Sequence, residues 1–231
     1  MDNSKISVYF MPGLAASSLI FERIALPESL FKMHLLDWEL PIGDESLPNY
    51  AKRMAQKITE PNPVLIGVSF GGILVQEMAA FLNPLKVIII SSVKTNLEFP
   101  RRMKIAKTTK AYKLIPTSIF SNMEKLSDFS FGKSIAQRLK LYERYLSVRD
   151  VLYLDWAIER VVLWDRIQVD TSVIHIHGDA DEVFPMQYIK DCIVVKGGTH
   201  VMILSKYKWL NQNLPAIILG EFLDAEKEKN L

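Results

Sequence analysis

Residues 63–81 read PVLIGVSFGGILVQEMAAF, and this stretch predicts a strand that passes directly into a helix. Val64–Val68 is a short apolar run of strand-forming residues, and from Ile73 onward apolar residues recur at helical spacing. Between them lies a Gly-x-Ser-x-Gly motif centred on Ser69. So short a connection holds the serine in a strained backbone conformation, and the flanking glycines avoid the clashes that side chains would make there. The motif therefore predicts a serine hydroxyl exposed at the tip of a sheet.

The segments on either side of this stretch alternate between predicted strands and helices. Helices are predicted over Leu47–Ile58 and from Ser69 to near Asn83. The predicted strands are Ile6–Met11, Met33–Trp38, Val64–Val68, Lys86–Ser91, Ser172–His177 and Ile193–Val195. Strands that are apolar throughout and alternate with helices are typical of a parallel sheet covered on both faces. The sequence therefore predicts an α/β fold.

The alternation stops between residues 94 and 169, where the pattern is helical throughout. The helical pieces predicted there are Arg101–Leu114, Ser134–Leu146 and Asp150–Trp164. An insertion of this size between two sheet strands favours a cap over the carboxyl edge of the sheet. We therefore predict a core of residues 1–93 and 170–231, with residues 94–169 as a helical cap.

Composition and charge limit the classes of protein to which this sequence can belong. The 231 residues are 49% hydrophobic and carry a net charge of +2, which is too small to predict nucleic-acid binding. Cys192 is the only cysteine, which excludes an internal disulfide and favours a reducing compartment. No stretch reaches the roughly 20 apolar residues that a membrane-spanning helix needs. The expectation is a soluble, cytoplasmic protein without stable membrane insertion.

Acyl transfer by a serine requires a base, an acid that orients the base, and amide donors for the oxyanion. His200 is the candidate base, because it follows the last predicted strand in a loop that contains two glycines. Asp181 is the candidate acid, in the loop after the preceding strand. Asp179, two residues earlier, is the alternative acid, although aspartates in loops also serve in turns.

Four segments together resemble the α/β-hydrolase fold family, in its small, capped serine esterase type. They are GVSFGG at 67–72, HGDADEVFP at 177–185, GTH at 198–200 and FMPGL at 10–14. The resemblance implies a mostly parallel sheet of about six strands. It also implies that Asp181 rather than Asp179 is the acid, from its spacing to Pro185. By the same resemblance, the backbone amides of Leu14 and Phe70 form the oxyanion hole.

The resemblance implies a serine hydrolase that cleaves a carboxylic ester or thioester through Ser69, His200 and Asp181. Two other functions stay open, because fold alone does not decide chemistry. One is a carbon–carbon lyase that uses the same triad, and the other is a ligand-binding protein that has lost turnover. No cofactor is expected. His175 and His177 share one face of a strand, but no carboxylate or cysteine spacing supports a metal site there.

The predicted cap is strongly basic. From Lys94 to Arg144 it contains 12 lysines and arginines against 4 acidic residues. A solvated charged surface is one interpretation, and attraction of an anionic acyl substrate or an anionic membrane surface is another. The partner predicted from the sequence is a small-molecule acyl substrate, which the second interpretation makes anionic. Six basic residues lie close together here, at Arg101, Arg102, Lys104, Lys107, Lys110 and Lys113.

Overall fold

The computed structural model describes residues 5–115, 117 and 144–222. Within these residues six strands form one sheet, in which all neighbouring strands are parallel and the order is β2-β1-β3-β4-β5-β6. The strands are β1 Ile6–Met11, β2 Phe31–Leu35, β3 Val64–Val68, β4 Lys86–Ile90, β5 Ile174–Gly178 and β6 Ile193–Val195. The predicted α/β class and the number of strands are confirmed.

Helices cover both faces of this sheet. The α-helices are α1 Leu47–Ala55, α2 Phe70–Met78, α3 Arg101–Thr109, α4 Val151–Leu163, α5 Met202–Ser205 and α6 Tyr207–Leu219. Short 3₁₀ segments occupy Ser18–Phe21, Ala79–Phe81, Asn96–Glu98, Ala111–Leu114 and Met186–Tyr188. Side chains alternate across each strand, so Tyr9 packs with α1 and α2 on one face while Phe10 packs with α6 on the other. Both faces are therefore buried, which explains why the strands are apolar throughout.

The strand order places a crevice between β1 and β3. From β1 the chain moves outward to β2 and then returns to the other side of β1 as β3. The connections therefore leave the carboxyl ends of β1 and β3 in opposite directions, and the loops after these strands stand beside an opening. In open α/β sheets, ligands bind at such a switch point.

Several predicted elements have different bounds in the structure, and for two of them the cause is clear. The second strand ends at Leu35 rather than at Trp38, because it is an edge strand that pairs only with β1, and β1 ends at Met11. Trp38 lies in the loop beyond it. The helix predicted over Arg101–Leu114 ends at Thr109, because Lys110 adopts a left-handed backbone conformation with φ 57°.

Helices α3 and α4 both belong to the segment between β4 and β5, where the cap is predicted. Most of the predicted helix Ser134–Leu146 lies outside the described residues. The structure therefore describes only part of the proposed cap, and its division from the core stays a prediction. Among the described helices, none combines the length and the apolar character needed to cross a membrane.

Candidate active site

The turn between β3 and α2 carries Ser69 in a strained conformation. Its φ of 52° and ψ of −118° lie in a region that side chains rarely occupy. A methyl group built on Gly67 would lie 2.2 Å from the carbonyl oxygen of Gly71. One built on Gly71 would lie 2.3 Å from the carbonyl oxygen of Pro12. Both glycines are therefore required by close backbone contacts, and the strained turn predicted between strand and helix, called the elbow below, is present.

Hydrogen bonds hold the backbone of Ser69 on both sides. Its N–H donates to the carbonyl oxygen of Ile90 at 3.0 Å. Its own carbonyl oxygen accepts a hydrogen bond of 2.7 Å from Ser92 Oγ and a further one of 2.9 Å from the Gly72 amide. The neighbouring strand β4 and the residues after it thus stabilise the strained turn.

Ser69, His200 and Asp181 form one hydrogen-bonded chain. His200 Nε2 lies 3.0 Å from Ser69 Oγ, and His200 Nδ1 lies 2.9 Å from Asp181 Oδ2. An ionised carboxylate only accepts hydrogen bonds, so Nδ1 carries the proton that His200 shares with Asp181. That tautomer leaves Nε2 free to accept the hydroxyl proton of Ser69. The three side chains therefore have the arrangement of an activated serine nucleophile.

Asp181 is buried and its carboxylate is fully engaged. Besides His200, Oδ1 accepts hydrogen bonds from the amides of Val183 and Phe184 at 2.8 and 2.9 Å. Burial by itself raises the pKa of Asp181, but the hydrogen bond and charge of His200 and the Phe184 amide outweigh it, so the pKa is lowered overall. Asp181 is therefore ionised near neutral pH and can stabilise a positive charge on the imidazole.

Asp179 contacts a different group from Asp181. Its Oδ1 accepts a hydrogen bond of 2.6 Å from the Gly197 amide. The two loops also touch through their backbones, because a methyl built on Gly178 would lie 2.1 Å from the carbonyl oxygen of Gly198. Asp179 thus ties the loop that carries Asp181 to the loop that carries His200, and Asp181 is the aspartate that contacts the imidazole of His200.

Leu14 and Phe70 both belong to segments beside Ser69, and their amides donate to no described residue. A methyl built on Gly13 would lie 3.4 Å from Ser69 Cβ, so the loop after β1 runs directly beside the serine. Phe70 follows Ser69 at the first position of α2, where helix amides have no partner within the helix. Neither amide donates a hydrogen bond to any described residue. Both amides therefore stay candidates for the oxyanion donors predicted from the sequence.

Further side chains support the loop that carries Asp181, a role that the sequence patterns did not predict. His177 Nε2 lies 2.9 Å from the carbonyl oxygen of Phe184, and its Nδ1 lies 3.0 Å from His175 Nε2. A carbonyl only accepts, so His177 donates from Nε2 and receives a hydrogen bond from His175. Burial lowers the pKa of His177 and lowers that of His175 well below its ordinary value. Both histidines are therefore neutral structural groups.

The basic residues of α3 bond largely to backbone carbonyls. Arg102 donates to the carbonyl oxygens of Glu182 and Val183, both in the acid loop. Lys104 Nζ donates to the carbonyl oxygen of Leu97, and Lys107 Nζ donates to that of Leu163. These bonds attach α3 to its surroundings while leaving the helix solvated. Arg102 in particular joins the predicted cap to the loop of Asp181.

A metal site needs several acidic, histidine or cysteine side chains close together. In the part of the chain that the structure describes, no group of three or more of them could hold a metal ion. His175 and His177 instead use their facing nitrogens to bond to each other.

No family model and no curated protein matches this sequence. Solved structures do match it. A carboxylesterase structure from the thaumarchaeon Nitrososphaera gargenis has a TM-score of 0.71 at 16% identity, covering 96% of this chain and 93% of that one. The chain has the α/β-hydrolase fold.

Two other solved structures with this fold resemble the chain at similar coverage. A bromoperoxidase from Bacillus anthracis has a TM-score of 0.62 at 16% identity, over 94% of this chain and 93% of that one. A hydrolase from Pseudomonas aeruginosa has a TM-score of 0.65 at 13% identity, over 94% of this chain and 90% of that one. At identities this low, structural similarity establishes only the fold. The chemistry of this α/β-hydrolase-fold chain depends on its own site residues.

Proposed function

We propose that this protein is a serine hydrolase that cleaves a carboxylic ester or thioester through an acyl-enzyme. The observation that carries the proposal is the continuous hydrogen-bonded chain from Ser69 through His200 to the buried Asp181. Solved neighbours whose names include esterase and carboxylesterase support the same class of reaction. A protein that only binds a ligand has no chemical need for all three side chains in this order.

The proposed reaction begins when His200 Nε2 accepts the hydroxyl proton of Ser69 as Oγ bonds to the acyl carbon. The carbonyl oxygen then becomes an oxyanion, which the amides of Leu14 and Phe70 stabilise. When the tetrahedral intermediate collapses, the bond to the leaving group breaks and His200 gives its proton to the departing alcohol or thiol. Asp181 keeps the imidazole in the correct tautomer and stabilises its positive charge.

Hydrolysis of the acyl-enzyme repeats these steps with water. His200 Nε2 takes a proton from the water as its oxygen bonds to the acyl carbon, and the same two amides hold the second oxyanion. Collapse breaks the bond to Ser69 Oγ, which regains its proton from His200. The carboxylic acid leaves and the enzyme returns to its starting state.

The proposal extends to the class of substrate and to the cellular location. The substrate is a small acyl compound, and the basic residues of the proposed cap, residues 94–169, favour an anionic leaving group or acyl chain. The single cysteine is consistent with a cytoplasmic location. Comparing turnover of neutral p-nitrophenyl esters with that of acyl-CoA thioesters tests the substrate part, since a preference for the neutral esters contradicts the role of the basic cap.

The central test is the Ser69→Ala variant. The native protein should react with a fluorophosphonate probe and hydrolyse p-nitrophenyl butyrate, whereas Ser69→Ala should not be labelled. Its kcat should fall by about 10⁴- to 10⁶-fold, because the nucleophile is removed and only binding and the oxyanion donors remain. Gel fluorescence measures labelling, and absorbance of p-nitrophenolate measures turnover.

Ser205→Ala is the matched control, because Ser205 is an exposed serine on α5. It should label and turn over like the native protein. Equal labelling of native protein and Ser69→Ala would show that Ser69 is not the nucleophile. Labelling at Ser69 without hydrolysis of short- and medium-chain esters or thioesters would instead contradict a hydrolase and favour a lyase or a binding protein.

A further inference from the structure

The indole of Trp38 contacts the loop that follows β1. Trp38 is 8% exposed, and its Nε1 donates a buried hydrogen bond of 2.8 Å to the carbonyl oxygen of Gly13. The same carbonyl oxygen accepts a second hydrogen bond, of 3.1 Å, from the amide of Ala16. Both lone pairs of this oxygen are therefore used, and its direction is fixed.

Fixing this carbonyl also fixes the amide of Leu14. The peptide between Gly13 and Leu14 is trans, so its C=O and N–H point in opposite directions. With the carbonyl held by Trp38 and Ala16, the N–H of Leu14 is directed away from them. This N–H donates to no described residue, and the loop runs beside Ser69.

Trp38 also contacts the second residue whose amide is available. Its ring stacks on the ring of Phe70, with centroids 4.8 Å apart and planes inclined by 11°. Phe70 is the residue after the serine. One buried side chain thus contacts both segments that present unpaired amides next to Ser69.

We propose that Trp38 is a positioning residue that presents the Leu14 amide to the substrate oxygen. The inference rests on the proposed function, because it assigns that amide to the oxyanion. Without the indole donor, the peptide after Gly13 is held through its carbonyl by the Ala16 amide alone. Glycine has no side chain to restrict rotation there, so the peptide can turn its carbonyl toward the site.

The Trp38→Phe variant tests this inference because phenylalanine keeps an aromatic ring against Phe70 but has no N–H. We expect kcat to fall by about 10- to 100-fold, less than the 10²- to 10³-fold typical of deleting an oxyanion donor outright. KM should change by less than about 3-fold, since the oxyanion forms only in the transition state. The pH profile of kcat should keep its shape, because His200 and Asp181 are untouched. Steady-state kinetics on p-nitrophenyl butyrate measure all three.

Trp156→Phe is the matched control. Trp156 lies in the same aromatic cluster, and its Nε1 also donates to a backbone carbonyl, that of Glu45. The substitution therefore removes a comparable indole hydrogen bond that does not reach Gly13. Its kcat should stay within about 3-fold of the native value, and thermal unfolding should show similar stability losses in both variants.

A crystal structure of Trp38→Phe gives a readout that does not depend on turnover. We expect the peptide between Gly13 and Leu14 to be rotated or to occupy two orientations. An unchanged peptide, or an unchanged kcat in a folded variant, would overturn the inference. If the native protein neither hydrolyses esters nor labels at Ser69, the proposed function fails, and the peptide orientation in the variant still decides whether Trp38 holds it.

Discussion

Asp179 and Asp181 lie two residues apart and have the same side chain, yet they accept hydrogen bonds from different groups. Asp181 accepts from the imidazole of His200, whereas Asp179 accepts from the backbone amide of Gly197. An asparagine retains one acceptor oxygen but loses the negative charge. The same substitution at the two positions therefore separates an electrostatic role from a hydrogen-bonding role.

Asp181→Asn should lower kcat by about 10³- to 10⁴-fold, because an amide at this position favours the wrong tautomer of His200 and cannot stabilise the imidazolium. Asp179→Asn should keep kcat within about 5-fold, since its oxygen can still accept from Gly197. Steady-state hydrolysis by the two purified variants is the measurement. A larger loss at Asp179 than at Asp181 would reverse the assignment of the acid.

At the residue scale, the sequence predicted three side chains that the structure brings together, but not the side chains that hold their loops. Ser69, Asp181 and His200 stand in loops with recognisable spacing and order. Trp38 and His177 instead bond to backbone carbonyls of distant loops. Such contacts depend on tertiary structure, and a buried tryptophan or histidine looks the same in a sequence whether or not it holds a catalytic loop.

At the scale of elements, the elbow depends on the residues that follow β4. Ser92 is fully buried, and its hydroxyl donates to the carbonyl oxygen of Ser69. Ser91 is equally buried, but its hydroxyl has no hydrogen-bond partner among the described residues. These adjacent serines therefore form a matched pair.

Ser92→Ala should lower the free energy of unfolding by about 1–2 kcal/mol, because it removes a buried hydrogen bond at the strained turn. Ser91→Ala should not lower it, since the substitution removes a buried hydroxyl that has no hydrogen-bond partner among the described residues. Urea unfolding followed by tryptophan fluorescence measures both. Equal losses in the two variants would mean that the bond from Ser92 does not stabilise the elbow.

The order and type of the described elements were largely predictable, whereas some ends were not. The apolar strands and the helix after Ser69 follow from periodicity, which is strong over such segments. The end of α3 at Thr109 depends on the left-handed conformation of Lys110, for which the sequence offers no glycine or proline signal. The end of β2 depends on the length of its neighbour β1, a tertiary property.

For the whole molecule, the buried histidine pair predicts how stability depends on pH. Burial lowers the pKa of both His175 and His177 in the folded protein relative to an ordinary value of 6.5. Below pH 6.5 the unfolded chain binds protons that the folded chain does not, so stability falls as the pH decreases. His177 faces Asp181 and His200, and His175 faces Lys94, but burial is the largest cause of each shift.

The free energy of unfolding should therefore decrease from pH 7 to pH 5, by up to about 1.4 kcal/mol per pH unit for each histidine. His177→Gln should reduce this slope, because glutamine does not titrate while its amide can still donate to Phe184. Urea unfolding at several pH values measures the slope. A native slope of zero, or an unchanged slope in the variant, would contradict the prediction. Asp181 contributes only at lower pH, because its lowered pKa lies below 3.8.

The backbone contact between Gly178 and Gly198 joins the acid and base loops without any space for a side chain. The two loops are therefore in direct contact, and a shift of one is expected to shift the other. Ser69 follows a different strand, β3. A shift of the two loops relative to β3 therefore changes the distance between His200 and Ser69. A substitution that loosens the sheet is therefore expected to keep Asp181 and His200 together while moving both away from Ser69.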